Sequence, residues 1–166
     1  MRKSILLPEE TPIGVFFTKI PTMNNEYNGH VIWSQVDANM HLRHSAYADF
    51  AAQARISLLN ELGLDFSVFQ KLQMGPILFR EELQYLREVG INDQIKILSF
   101  LTKAKADGAR WSIRHDLYRG DGVKACIIHV DGAWLDLRKR KLTGLPEDVA
   151  TKFMEVTKSE DFELLG

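Results

Sequence analysis

The sequence predicts an α+β fold in which one long central helix is wrapped by a curved antiparallel β-sheet of about five strands. Three observations predict it. A run from Ser45 to Leu62 places Tyr47, Phe50, Ala51, Ala54, Leu58 and Leu62 at steps of three and four, the period of a helix face. Small residues at 46, 48, 51, 52 and 54 extend that apolar surface beyond one stripe, so the helix is expected to be enclosed on several sides. After Gly75-Pro76, about sixty residues alternate in the strand period and are broken by turn signals.

Each element follows from local chemistry. Residues 1–14 contain two prolines and little periodicity and read as an arm, leading into a first strand near "VFFTKIPTM". "NNEYNG" reads as a turn, and "HVIWSQV", β-branched and aromatic, as a strand that stops at Asp37. Ser45 is the expected N-cap of the helix, and Gly63 its end. "ILFREELQYLREV", "QIKILSFLTKAKA", "RWSIRHDLYR" and "KACIIHVDGAWLDLRKRK" supply four antiparallel strands, with "GDG" turning between the last two. In the last of them the apolar set runs Cys126, Ile128, Val130 and then Ala133, Leu135, Leu137, a change of parity that predicts a bulge at Asp131-Gly132. Residues 145–166 carry a helix-start signal in "LPEDVATKF" and read as a short terminal helix and tail. With no repeat or linker, residues 1–166 are expected to form one domain.

Composition narrows the function. A formal charge of -1, with 26% charged residues of both signs, supplies no broad positive field for nucleic acid or an anionic membrane. The single cysteine, Cys126, sits in an interior strand pattern and permits no internal disulfide. The opening "MRKSILLPEETP" has too few consecutive apolar residues for a secretion signal, so the expected location is the cytoplasm.

The chemistry concentrates in "VDANMHLRH", residues 36–44. A carboxylate at Asp37 falls within a few residues of the unpaired amides that open a helix. Acyl hydrolysis needs a base or nucleophile on one side of a carbonyl and hydrogen-bond donors where negative charge develops on its oxygen. Asp37 can supply the first and the backbone around His44, Ser45 and Tyr47 the second. A thioester suits a carboxylate catalyst, because its thiolate leaves without a strong acid, and no Gly-x-Ser-x-Gly elbow is present to supply a serine. Asn39 and His41 are expected to brace the turn by hydrogen bonds, and Asp49 is a second carboxylate one turn into the helix. Asp37, His41 and His44 also raise a metal, but the helix starts after the histidines and no further ligand set is evident, so no metal is expected. Lys103, Lys105 and Arg110, with the basic run at 137–141, can meet the phosphates of a coenzyme A ester, or can simply keep strand ends soluble.

The stretch "WSQVDANMHLRHSAYADFAAQAR" resembles the 4-hydroxybenzoyl-CoA thioesterase-like family of hotdog-fold proteins, with Asp37, Asn39, His41, Tyr47, Phe50, Ala54 and Arg55 in matching places. The likeness is strongest from Val31 to about Gly63 and rests on element order beyond. It implies hydrolysis of an acyl-CoA thioester without metal or cofactor, in a dimer or tetramer with sites near the subunit boundary. It places Asp37 at the family's catalytic aspartate, as general base or nucleophile, with the helix entrance at His44 and Ser45 polarising the carbonyl. Asn39, His41 and Tyr47 are then supporting residues. Met40 stands where many relatives have glycine, and Arg43-His44 replaces a smaller pair, so Met40, Arg43 and Asp49 are expected to shape substrate binding. Two other readings stay open: a non-catalytic acyl-CoA binding or assembly module, and an enoyl-CoA hydratase-like enzyme, for which Met40 and Arg43 leave the acid-base pair incomplete.

Overall fold

The computed structural model describes residues 25–166. The arm and the strand expected near "VFFTKIPTM" lie outside the described residues. Within them the fold is α+β, with seven strands in one sheet where about five are expected. Five lie side by side in the order β1, β3, β4, β5, β2: β1 (Glu26–His30), β2 (Met74–Tyr85), β3 (Gln94–Lys105), β4 (Arg110–Arg119) and β5 (Lys124–Asp136). Two short strands extend it, β6 (Lys141–Thr143) against β5 and β7 (Lys158–Leu165) against β3. All pairs are antiparallel except β3 with β7. Three helices complete the architecture: α1 (Ala46–Glu61), α2 (Phe66–Leu72) and α3 (Glu147–Phe153).

Several local expectations are corrected. "NNEYNG" is not a turn, since Glu26–His30 pairs with β3 as an edge strand. Gly29 serves a close approach there: a Cβ would sit 3.3 Å from the Phe50 ring of α1. "HVIWSQV" is not a strand. Its centre, Trp33–Gln35, is a 3-10 turn closed by the Ile32 amide donating to the Gln35 side chain at 3.0 Å.

Helix α1 is the longest of the three helices, and it is not enclosed on several sides. Ala46, Tyr47, Phe50, Ala51, Ala54, Leu58 and Leu59 are buried against the sheet, whereas Asp49, Ala52, Gln53, Ile56 and Asn60 are exposed. The small residues therefore split between two faces. Ser45 precedes the helix with helical backbone angles and no side-chain cap, so its expected capping bond is not made. The C-terminus closes as expected, with Gly63 at φ +70° and the Leu64 amide donating to the Leu59 carbonyl at 2.8 Å.

The expected bulge moves to the neighbouring strand. On β5 the residues Cys126, Ile128, Val130 and Trp134 keep one parity into the core, with Gly132 as a silent member. The ring of Trp111 occupies the space a Cβ of Gly132 would need, 2.4 Å away. The register breaks on β2 instead, between Leu78 and Arg80, where Phe79 is the extra residue opposite Gly132 and Asp131. Beneath β4 and β5, Trp134 stacks on Phe69 of α2 at 4.9 Å and meets Phe153 of α3 edge-on at 5.7 Å. This aromatic cluster anchors both short helices and leaves the entrance of α1 free to carry a site.

Candidate functional site

Residues 36–42 form a miniature hairpin, with Val36 bridged to Leu42. Its tip is tied by Asp37. The Asp37 amide donates to the His41 carbonyl at 2.8 Å, and Oδ1 accepts from the amides of Asn39 at 2.8 Å and His41 at 3.2 Å. An aspartate folds such a turn because its short carboxylate reaches amides two to four residues ahead. Met40 pays the conformational cost with φ +65°, the left-handed region that glycine enters freely. The hairpin is then pinned to the segment after β2: the Leu42 amide donates to the Val89 carbonyl at 2.7 Å, and His41 bridges to Gly90. Asp37 is thus held rigidly while Oδ2 keeps no hydrogen bond to any described residue.

An open groove of about 390 Å³ lies beside it, lined by Asp37, His41, Leu42, His44, Tyr47, Tyr85, Leu86, Arg87 and Glu88. Two elements meet here. The entrance of α1 brings His44 and Tyr47, and the end of β2 with its following loop brings the last four residues. The Tyr85 hydroxyl donates to the His44 carbonyl at 3.1 Å, locking strand to helix entrance. Tyr47 and Tyr85 meet edge-on at 5.2 Å. Burial, reinforced by the nearby Cys126 thiol, pushes the Tyr47 phenol up to about 12, so it remains a neutral donor in this wall. The Ala46 amide bonds the Arg43 carbonyl at 2.9 Å, while the amides of His44 and Ser45 bond no described residue. The unengaged Asp37 oxygen and the unengaged His44 amide thus belong to two residues that wall one groove.

Of the residues singled out in the sequence, Asp37, His41, His44 and Tyr47 come together as groove walls. Asn39 braces the turn through its amide, and Ser45 flanks the groove without lining it. Arg43 and Asp49 pair with one another at 3.5 Å, outside the groove walls, as is the exposed Met40. Lys103, Lys105 and Arg110 are not gathered at the groove within this chain. They sit at the far end of the sheet, where β3 ends and β4 begins. Lys103 is engaged by Glu163 of β7 at 2.7 Å, which holds its ammonium above the ordinary value, and Arg110 lies over the Phe79 ring at 5.2 Å. Tyr85, Arg87 and Glu88 are groove residues that sequence reasoning missed. Their only signal is the charge of "YLREV", which closes a strand and says nothing of what that strand end faces. Among the described residues no cluster of three or more His, Cys, Asp or Glu side chains is arranged to hold a metal.

A seven-stranded, mainly antiparallel sheet with a helix laid on it is a hotdog-type architecture. The sequence profile of the Thioesterase-like superfamily matches residues 31–153, and the chain belongs to that family. Solved structures share its fold. A hypothetical protein from Staphylococcus aureus, characterised in complex with CoA, superposes with a TM-score of 0.74 at 17% identity, over 82% of this chain and 90% of its own. A 1,4-dihydroxy-2-naphthoyl-CoA thioesterase from Synechocystis gives 0.70 at 14% identity, over 78% and 94%. A gentisyl-coenzyme A thioesterase gives 0.68 at 18% identity, over 77% and 98%. No curated protein sequence matches the chain.

Proposed function

We propose that this protein is an acyl-CoA thioesterase that hydrolyses its substrate to a free acid and CoA, with Asp37 as the reacting carboxylate. The observation that carries the reading is the held Asp37 side chain, one oxygen committed to its own turn and the other unengaged, lining a groove at the entrance of α1. Family membership and the thioesterases among the similar structures support the reaction class. The structure solved with CoA supports the ligand.

With the thioester carbonyl in the groove, the amides of His44 and Ser45 polarise its oxygen. Asp37 then acts in one of two ways. As general base it takes a proton from water while the hydroxide adds to the carbonyl carbon; the C–S bond breaks and the thiolate leaves. As nucleophile its oxygen adds to the carbonyl carbon, the C–S bond breaks and the thiolate leaves, and water then opens the mixed anhydride to the free acid and the Asp37 carboxylate. The imidazoles of His41 and His44 flank this space, and Arg87 at the rim supplies a cation within reach of an anionic ligand. No cofactor or metal enters either route. Met40, Arg43 and Asp49, outside the groove walls, act on substrate only through its mouth.

The chain is read as one domain that works as a dimer or tetramer. Strand β2 ends the sheet and exposes Leu78, Phe79 and Tyr85 together with Arg80, Glu81 and Glu82, an unpaired mixed edge that association would cover. Lys103, Lys105 and Arg110 would reach a CoA phosphate only on a neighbouring copy. Location in the cytoplasm is likewise part of the proposal, alongside the finding that no described helix is long and apolar enough to cross a membrane.

The test is a panel of aliphatic and aromatic acyl-CoA esters incubated with the full chain and a thiol reporter. Turnover of at least one ester above an Asp37→Asn control supports the reading. Tight binding of CoA esters with no thiol release would instead favour the non-catalytic binding module.

A further inference from the structure

A second cavity lies along the exposed side of α1, away from the Asp37 groove. It holds about 170 Å³ and is walled by apolar groups, among them Ile56, Leu59, Leu78, Ile113 and Trp134. One wall residue is a cation, Arg55. Its side chain keeps only 13% of its surface exposed, and burial pulls the guanidinium below its ordinary value. The partners of this buried cation are few. Nη1 donates to Nε2 of His115 at 3.3 Å, and the nearest carboxylate oxygen, Glu81 Oε1, stands 3.9 Å from the same nitrogen, beyond hydrogen-bond reach. Nε and Nη2 bond no described residue. His115 cannot balance the charge. It is fully buried and held neutral by that burial and by Arg55 itself, with Nδ1 on the Ser99 hydroxyl at 2.8 Å. Neither Nε nor Nη2 of Arg55 is a fully buried unpaired atom, so the guanidinium keeps donors open to solvent at the wall of an apolar cavity, and a carboxylate that enters the cavity replaces the water on them.

The cavity and the proposed reaction site lie along the same helix and share no wall residue. Ala48, Ala52 and Arg55 follow one another at steps of four and three on one flank of α1, so that flank runs from the helix entrance to the guanidinium. From Ser45 to Arg55 the helix rises about 15 Å, and an arginine side chain leans back toward the N-terminus, shortening that span. A dry cavity of roughly 150 Å³ accepts a six-carbon ring, so this one has room for a similar length of acyl chain.

We infer that the preferred substrates carry a carboxylate at the far end of the acyl group, and that Arg55 is the residue that selects them. The inference rests on the proposed thioesterase reading for the position of the thioester and on the cavity for the rest. A planar carboxylate matches the spare edge of a guanidinium in two parallel bonds, which a methyl end cannot. Glu81, the existing weak counter-charge, competes with such a ligand.

The test compares mono-CoA thioesters of linear dicarboxylic acids with the matched monocarboxylic acyl-CoAs, across about six to about twelve carbons to bracket the helical span. At the best length the dicarboxylic ester is expected to have a kcat/KM roughly 10- to 100-fold higher. Arg55→Leu should abolish that preference, and Glu81→Gln, which leaves the cation unshared, should enlarge it. Equal rates for matched pairs, or a preference that Glu81→Gln shrinks, would overturn the inference even if Arg55→Leu fails to fold. If no ester is hydrolysed, the thioesterase reading falls and the cavity is still testable by calorimetry with the free diacids and monoacids. Diacid binding that is tenfold tighter and depends on Arg55 supports the selective role; equal binding refutes it.

Discussion

Asp37 shows how much one residue can do by sequence position alone. An aspartate followed at two and four residues by amides it can reach closes its own turn, and those bonds orient the carboxylate. This part of the site was legible in the sequence, because its geometry is local. The opposite wall was not: Tyr85, Arg87 and Glu88 arrive from more than forty residues away, and nothing in "YLREV" states which helix end they face. Met40 is informative for the opposite reason. At φ +65° it occupies a position that suits glycine, and the left-handed conformation costs an L residue roughly 1–2 kcal/mol. Met40→Gly should therefore raise stability by up to about 1 kcal/mol after the extra unfolded-state entropy is subtracted. Urea unfolding checks this, and a destabilised variant would show that the Met40 side chain contributes packing. Cys126 offers a second residue-scale check. Burial pushes its thiol up to about 12, so a thiol reagent at pH 8 should leave the native chain unmodified and react promptly once denaturant is added.

At the scale of elements, the long strands and α1 were readable because their apolar periods run for many residues. What failed were the places where a side chain is missing or the pattern is short. Gly132 hides the parity of β5, and so the bulge was assigned to the wrong strand. Strand β7, "KSEDFELL", is charged and mostly exposed, and its parallel pairing to β3 is decided by tertiary contact rather than by propensity. The 3-10 turn at Trp33–Gln35 has strand-forming residues whose fate is set by the hairpin that follows. The inner strands also carry a pH dependence. His115, joining β3 through Ser99 to α1 through Arg55, titrates well below the ordinary 6.5 because burial and the Arg55 charge disfavour its protonated form. Below about pH 6.5 the unfolded chain binds a proton that the folded chain refuses, so stability falls with acidification and is level above that pH. The slope contributed by this group is at most about 1.4 kcal/mol per pH unit. Denaturant unfolding at pH 7.5 and pH 5 should show the loss in the wild type, and His115→Asn should flatten that part of the profile even as it lowers stability overall. An unchanged slope in the variant would assign the acid sensitivity elsewhere.

For the whole molecule, the fold places two open spaces along one helix. The entrance of α1 faces the Asp37 groove, and its exposed flank forms one side of the Arg55 cavity. Both stand beside β2, the strand that ends the sheet and leaves Leu78, Phe79 and Tyr85 exposed. The expectation of a helix wrapped on several sides rests on the small residues at 46, 48, 51, 52 and 54, of which Ala52 is exposed and Ala48 only half-buried. Here the outer flank of α1 and the edge of β2 remain open in one copy. Association through that edge predicts a mass of two or four chains by light scattering at micromolar concentration; a persistent monomer would contradict it.

The central claim is that the Asp37 carboxylate performs the chemistry at the α1 entrance, and the most direct measurement is kcat/KM of Asp37→Asn against the wild type on the best acyl-CoA ester. Asparagine keeps the acceptor oxygen that folds the turn, so the variant should stay folded while its rate falls roughly 10²- to 10⁴-fold. A folded Asp37→Asn chain that hydrolyses the ester at the wild-type rate would contradict the account.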